Sequence, residues 1–217
     1  MNLLRLQYRE IPRAGAGILF ALLLSLGLTV RLHAQQPGTA IVFYTQPRVN
    51  PQLWPDLLQS LREDLAAGEG ASPNGFVLDR NPAILLGNND AAVGIHSTQL
   101  IVVRLLGRCD VLPQSDRPSL KGPLGWVPLV SGAIQPLISV DCNRIAQVLR
   151  PISAGLNSYE RRHEMAQAIA HVVIHEWIHI ATQSSAHGRN GITKQFLSVD
   201  ELTAEPTNGK LAIAIHE

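Results

Sequence analysis

Features that would point to several common protein classes are missing from this 217-residue chain. It has no internal repeat, no low-complexity tract and no glycine-rich loop of the nucleotide-binding type. Its 18 Lys and Arg residues are matched by 17 Asp and Glu residues, so no basic excess is present to attract nucleic acid. We therefore expect neither a nucleic-acid partner nor a nucleotide-binding domain.

A long apolar run is also missing. The run at residues 18–30 has about thirteen residues, whereas a membrane span needs about twenty. A small-residue cleavage site before Gln35 follows it, and three basic residues precede it: Arg5, Arg9 and Arg13. This layout predicts a signal peptide over residues 1–34, hence a secreted or periplasmic protein without a stable membrane span. An uncleaved membrane anchor is the alternative.

The part of the chain after the predicted signal, residues 35–217, is long enough for a single domain with a sizeable core. Residues 1–34 contain four Arg and one Glu, so 14 basic and 16 acidic side chains remain in the mature part. A slightly acidic balance again argues against nucleic-acid binding.

Cysteine is scarce, because the chain has only Cys109 and Cys142. Two cysteines alone make a weak case for a metal site. Each lies just past the end of a predicted strand, and an oxidising compartment favours their oxidation. We predict a disulfide between them, with two buried thiols as the alternative.

The predicted strands are short runs rich in β-branched and aromatic residues. The clearest ones are residues 40–45 and 99–106, and residues 125–130 and 134–140 form a predicted hairpin around Ser131-Gly132. Residues 76–79 are a weaker strand candidate, and residues 81–94 carry too many Asn, Gly and Pro residues to assign.

The predicted helices are marked by leucine spacing, caps and prolines. Leucines at helical spacing place a helix at residues 53–65, whose start Pro55 could delay, and residues 143–149 form a short helix stopped by Pro151. Asn157 with Glu160 caps a long helix that begins near Ser158 and ends around residues 183–185, and Ser198 with Glu201 caps a last helix. Strands first and a long helix late predict an α+β domain, with a mixed sheet packed against that helix.

The long helix contains the run His175-Glu176-Trp177-Ile178-His179, an HExxH motif. Residues four apart lie on one helix face, so both imidazoles can reach one metal ion. Glu176 points beside the metal, which suits a carboxylate that takes a proton from water in a zinc peptidase.

The surroundings of the motif favour a functional site. Polar residues recur every three or four positions between residues 164 and 183, none of them is Lys or Arg, and apolar residues fill the rest of the circumference. This pattern predicts a buried helix whose polar stripe lines a cleft. One alternative is that these are core histidines with satisfied hydrogen bonds. Another is that His171 and His175 form the metal-binding pair, but the residue after His171 is then Val172, which cannot act as a base.

A catalytic zinc site usually has three protein ligands, so the two helix histidines need a third. His187 is the preferred candidate, because it follows a segment that can end the helix and precedes two glycines that let the backbone reverse. Glu201 or Glu205 on the last helix is the competing ligand. A loop histidine without a role is the other reading of His187.

The run HEWIHIATQSSAHGRNGIT resembles the zincin metallopeptidases, and within them a metzincin-type arrangement of HExxH, turn and downstream His. It is also similar to small secreted bacterial proteins with an HExxH helix, a His eight residues on and a Gly-Ile-Met turn. The resemblance covers about residues 173–202 and implies a twisted mixed sheet packed on a buried HExxH helix. Thr182 stands at the metzincin Gly position, Thr193 stands where Met is typical, and the metzincin Tyr has no obvious counterpart.

The resemblance implies a zinc-dependent peptidase in which His175, His179 and His187 hold Zn²⁺ and Glu176 is the general base. A catalytically silent zinc-binding or interaction module on the same fold is the alternative, because of Thr193 and the missing Tyr. Two nearby cations, Arg189 and Lys194, are either oxyanion ligands or solvated loop charges.

Zincins hold their peptide or protein substrate as an added strand along a sheet edge above the site helix. We predict this edge at residues 124–130, because Pro128 lacks an N–H and is tolerated mainly at an edge. Gly125 would then permit close backbone approach and Trp126 would line the cleft. The alternative is a turn glycine and an ordinary core tryptophan.

Overall fold

The short β-branched runs of the sequence supply the strands, and the leucine-spaced and capped segments supply the helices. The computed structural model describes residues 38–45, 49–67, 78–87, 97–110, 121–189 and 191–205, all within the compact unit Pro37–Glu217. In chain order the elements are β1 (Thr39–Thr45), α1 (Leu53–Ala67), β2 (Ala83–Leu86), β3 (Gln99–Leu106), β4 (Gly125–Trp126), β5 (Leu129–Val130), β6 (Ala133–Ile134), β7 (Leu137–Asp141), α2 (Cys142–Ser153), α3 (Ser158–Thr182), a 3₁₀ turn (Gly191–Thr193) and α4 (Val199–Leu202). The predicted signal peptide, residues 1–34, lies outside the described residues.

Five strands form one mixed sheet in the order β2-β1-β3-β7-β4. The first four are mutually parallel, as in the pairing of Ile41 with Ile101, whereas β4 runs antiparallel to β7. Gly125 pairs with Val140, and Trp126 pairs with Ser139. The predicted α+β class with a mixed sheet is confirmed.

One face of the sheet is buried by helices. In β3, Ile101, Val103 and Leu105 are at most 1% exposed, whereas Arg104 between them is exposed, which is the two-residue alternation of a strand with one covered face. Helices α1 and α3 pack against each other, and the apolar side chains of all three elements belong to one core cluster. The core therefore lies between the sheet and this helix pair.

The helix α3 is the central element, with residues 165–180 buried throughout. The side chain of Asn157 accepts hydrogen bonds from the first turn while Glu160 accepts one from the backbone N–H of Asn157, so the predicted cap is confirmed. The helix ends at Gln183, whose φ of 49° is left-handed. The Gln183 amide exchanges two hydrogen bonds with the backbone of Ile134, which fixes the end of α3 against β6.

The predicted hairpin is present only in pieces. Strand β4 pairs with β7 in the main sheet, whereas β5 and β6 form a separate two-stranded ribbon around Ser131 and Gly132, both at positive φ. Pro128 lies between β4 and β5 and has no N–H to donate, so a continuous ladder is interrupted there. The predicted turn is thus correct, but one uninterrupted hairpin is wrong.

Both proline-based helix limits need correction. The helix α1 begins at Leu53, ahead of Pro55, because the N–H groups of a first turn have no intrahelical partner to lose. The helix α2 continues through Pro151 to Ser153, whose hydroxyl donates to the carbonyl of Arg150 and closes the last turn. Pro151 therefore lies in the final turn instead of ending the helix before it.

The region without a clear pattern contains a strand, since β2 at Ala83–Leu86 pairs with β1 at the sheet edge. The weaker candidate at residues 76–79 is not a strand in its described half, residues 78 and 79. Asp79 instead accepts a hydrogen bond from the backbone of Thr39 at 2.7 Å and fixes the start of β1.

The predicted disulfide is confirmed. Cys109 follows β3, Cys142 opens α2, and their sulfur atoms are bonded, with Cα atoms 4.7 Å apart. The bridge ties the end of β3 to the helix that follows β7. Among the helices in the described ranges, none is both long and apolar enough to cross a membrane.

Candidate metal centre

Three histidine side chains meet at the C-terminal part of α3. His175 and His179 project from neighbouring turns of the helix, and His187 comes from the loop after it. One ring nitrogen from each of the three lies within 4.8 Å of the others, so the group could hold a metal ion. His175 and His179 are at most 9% exposed, whereas His187 is open to solvent.

The backbone fixes the tautomers of the two helix histidines. Nδ1 of His175 lies 2.6 Å from the carbonyl oxygen of Ile192, and Nδ1 of His179 lies 2.6 Å from that of Ser184. A carbonyl only accepts, so each Nδ1 carries the proton and each Nε2 presents a lone pair. Metal-binding histidines in proteins are commonly oriented by this kind of contact.

These two lone pairs point into the same space, because the Nε2 atoms of His175 and His179 are 3.1 Å apart. Neither neutral ring can donate to the other in these tautomers. Burial and, to a smaller extent, the neighbouring histidines lower the pKa of His175 to about 4, so a proton is not held there near neutral pH. Two ligands about 2.05 Å from a tetrahedral zinc would be about 3.3 Å apart, so the spacing suits a metal cation.

The third histidine is positioned by the turn that follows it. The N–H of Gly188 donates to the carbonyl of Thr193 at 2.9 Å, and Gly188 forms a bridge with Lys194. The same turn carries the Ile192 carbonyl that orients His175. The 3₁₀ turn thus holds the loop of His187 against α3 and also orients His175.

The competing ligands of the sequence analysis lie elsewhere. Glu201 accepts a hydrogen bond from Lys194 at 2.6 Å, and together with Ser198 this contact lowers its pKa. Glu205 is 60% exposed and lies 3.9 Å from His163. His171 faces Asp64 on α1 and not His175. In the described ranges only the three histidines form a group of metal-ligating side chains.

Glu176 lies beside this group and is 6% exposed. Burial raises its pKa to about 7, which is near the value that a general base needs at neutral pH. Strand β4 passes close to it, since a Cβ built on Gly125 would stand 3.2 Å from Oε1 of Glu176. The carboxylate is therefore enclosed between α3 and the edge of the sheet.

A cleft of about 650 Å³ opens in front of these side chains, within the usual range for ligand sites. Gly125, Trp126 and the three histidines line it together with Glu176. Trp126 is 39% exposed, so it is a cleft residue and not a core tryptophan. Lys194 also lines the cleft, whereas Arg189 is exposed and is not part of its lining.

Sequence reasoning missed one charged residue of the cleft, Arg144 in the first turn of α2. No motif marks it, since an arginine near a helix start is ordinary in a sequence. Its position follows only from the packing of α2 beside α3.

No protein-family model, curated protein or solved structure matches the chain. The chemistry is therefore inferred from the geometry of the side chains alone. Three imidazoles that can meet at one ion, a buried carboxylate beside them and an apolar cleft in front form an arrangement suited to metal-assisted attack of water on a bound substrate.

Proposed function

We propose that the chain is a zinc-dependent peptidase of the zincin type that acts outside the cytoplasm. The observation that carries the proposal is the pair of Nε2 lone pairs, 3.1 Å apart, facing each other beside the buried Glu176. Two lone pairs at this distance repel each other, and a cation between them turns that repulsion into attraction.

Zinc fits the donor set better than Ca²⁺ or Mg²⁺ does. His175, His179 and His187 supply only nitrogen donors, whereas Ca²⁺ and Mg²⁺ require oxygen. Three imidazoles with a fourth position free for water match the ligand count of catalytic zinc sites. His187, at the solvent-exposed side, is proposed as the third ligand.

The bound ion and the residues around it would then have different roles. Zinc, when bound, supplies a Lewis acid and lowers the pKa of water towards about 7. Glu176 takes the proton of the attacking water and passes it to the leaving amine, for which a pKa of about 7 is suitable. The carbonyls of Ile192 and Ser184 keep both helix imidazoles in the ligating orientation throughout.

The substrate is proposed to lie along β4, the antiparallel edge strand of the sheet. An edge strand offers backbone groups that pair with an extended peptide whatever its side chains are. Gly125 brings this edge close to Glu176, and Trp126 forms part of the cleft wall. A peptide paired with β4 would therefore pass in front of the proposed base.

An extracytoplasmic location is supported by the disulfide between Cys109 and Cys142, since such bonds persist in oxidising compartments. The predicted signal at residues 1–34 agrees with this location. We propose that the mature protein is secreted or periplasmic.

Two observations favour the second candidate, a zinc-binding module without catalytic activity. Thr193, which replaces the Met typical of the metzincin turn, is 5% exposed and lies beside the Ile192 that orients His175. None of the residues that line the described cleft is a tyrosine. Both features remove groups that metzincins use at the metal.

The deciding experiment compares the wild type with Glu176→Gln. Zinc content is measured by atomic absorption, and hydrolysis is measured on an unstructured protein. We expect one zinc per chain in both proteins, with hydrolysis reduced at least about a hundredfold in the variant. One bound zinc without hydrolysis by either protein would support the silent module, and no bound zinc in the wild type would reject both proposals.

A further inference from the structure

Arg144 brings a positive charge into the wall of the cleft, and it has no acidic partner among the residues that the structure describes. It lies in the first turn of α2, one turn before Val148, and both residues line the same cleft as the three histidines. Its Nε and Nη1 atoms are buried and have no hydrogen-bond partner in the described part of the protein.

The other charges nearby do not neutralise Arg144. Lys194, the second fixed cation of the cleft lining, is paired with Glu201 at 2.6 Å. Asp141 caps α2 by accepting from the backbone N–H of Arg144 at 3.1 Å. Among the described residues, no ion pair within 4.0 Å contains Arg144.

An arginine in this state is unusual, because a buried guanidinium N–H without a protein partner costs free energy. Such groups in native proteins call for an explanation, for example an ordered water, a bound ion or a functional role. The planar fork of a guanidinium fits a carboxylate with two parallel hydrogen bonds. Because Arg144 lines the cleft, a carboxylate bound there would supply the acidic partner that the described residues do not.

We propose that Arg144 binds a carboxylate of the substrate, so that the cleft selects peptides carrying an acidic group. The group is either a C-terminal carboxylate or an Asp or Glu side chain, and both offer the same fork. Apolar walls next to it, among them Leu124 and Trp126, suit an apolar neighbouring residue. The inference rests on the proposed function, since it names the substrate class of the same site.

The test measures peptide binding by calorimetry to zinc-loaded Glu176→Gln protein and to metal-free protein. The terminal arm compares acetyl-Ala-Leu-Ala-Leu with a free carboxylate against its amide. The side-chain arm compares acetyl-Ala-Leu-Glu-Ala-amide against the same peptide with Gln. The metal-free protein is included because a carboxylate could also bind zinc.

We expect the acidic member of one pair to bind about tenfold to a hundredfold more tightly, with or without zinc. Arg144→Gln should abolish this preference and Arg144→Lys should reduce it, because Lys keeps the charge without the fork. Arg104→Gln, which removes the same charge from an exposed strand position outside the cleft lining, should leave the preference unchanged. If Arg144→Gln does not fold, the Lys variant decides.

Equal binding of acid and amide in both arms, or a preference unchanged in the Arg144 variants, would overturn the inference. Carboxylate-selective binding without any hydrolysis would support it and reject the peptidase. Hydrolysis without that selectivity would support the peptidase and overturn the inference about Arg144. The failure of one proposal is therefore distinct from the failure of the other.

Discussion

Gly125 of the edge strand and Val172 of the site helix are so close that the two elements touch without a side chain between them. A Cβ built on Gly125 would stand 2.5 Å from Cγ1 of Val172 and 3.1 Å from Cγ of Glu176. Val172 is 3% exposed and β-branched, so its side chain cannot easily move away. The absence of a side chain at position 125 sets the distance between the edge strand β4 and Glu176.

Gly125→Ala should therefore push β4 away from α3. We expect a loss of about 1–3 kcal/mol in the free energy of unfolding, as for other overpacked sites, and reduced hydrolysis if the chain is a peptidase. The measurement is denaturant unfolding followed by circular dichroism, with activity assayed on the folded protein.

The matched control is Gly155→Ala, since a Cβ there meets nothing within 4 Å and the backbone is not left-handed. Val172→Ala in the Gly125→Ala background should recover part of the loss, because it removes the colliding methyl group. Equal stability of the Gly125→Ala and Gly155→Ala proteins would show that the close contact has no energetic consequence.

The ligand assignment predicts a graded loss of zinc. His175→Ala and His179→Ala should abolish binding, because each leaves one helix ligand, and His187→Ala should weaken it strongly while retaining the helix pair. Glu201→Ala should bind zinc as the wild type does, since its carboxylate is bonded to Lys194. Zinc titration followed by thermal unfolding measures both affinity and the stabilisation that the bound ion confers.

His163→Ala is the appropriate control, because His163 lies on the same helix but outside the cluster. A structure of the zinc-loaded protein with Glu201 or Glu205 about 2.2 Å from the metal and His187 turned away would refute the assignment. Zinc binding lost equally in the His163 variant would point to unfolding and not to ligand removal.

The site helix was largely predictable because its signals are local. The cap at Asn157, the apolar wrapping and the His175 to His179 spacing each depend on residues within a few turns of one another. His187 was predicted as the preferred third member of the group, with Glu201 or Glu205 as the competitor, because the choice among them depends on how a loop folds back.

What sequence could not supply depends on contacts between distant segments. The pairing of β4 with β7 and the β5–β6 ribbon follow from tertiary packing, which a hairpin pattern does not specify. The position of Arg144 in the cleft wall likewise follows from tertiary packing. The continuation of α2 through Pro151 shows that a proline in the last turn can be accommodated where a local rule predicts a stop.

The disulfide makes a quantitative prediction for stability. Cys109 and Cys142 are 33 residues apart in sequence, so the bond restricts the unfolded chain by about 3 to 4 kcal/mol in the loop-entropy description. The double variant Cys109→Ala with Cys142→Ala should lose about this amount in denaturant unfolding. Thiol titration of the exported, denatured wild type should detect no free thiol, and two titratable thiols would contradict the bridge.

The last prediction concerns Asp64 of α1 and His171 of α3, a buried pair behind the metal site. Oδ2 of Asp64 lies 3.4 Å from Nε2 of His171, and both side chains are 1% exposed. Burial raises the pKa of Asp64 above its ordinary value of 3.8, and His171 only partly offsets this effect.

A carboxyl group with a raised pKa in the folded protein binds its proton more tightly there than in the unfolded chain. The stability it contributes is therefore full below about pH 4 and declines as pH rises through the folded pKa. Replacing Asp64 by Asn removes this decline. We therefore subtract the free energy of unfolding of the Asp64→Asn protein from that of the wild type. This difference should fall as pH rises from about 4 through the folded pKa of Asp64. Denaturant unfolding of the metal-free proteins at a series of pH values measures this difference. The control is Asp200→Asn, which neutralises an exposed carboxylate that is not among the groups shifting the pKa of Asp64. A difference that rises with pH instead would mean that Asp64 is more stable ionised than protonated in the fold, with His171 outweighing burial.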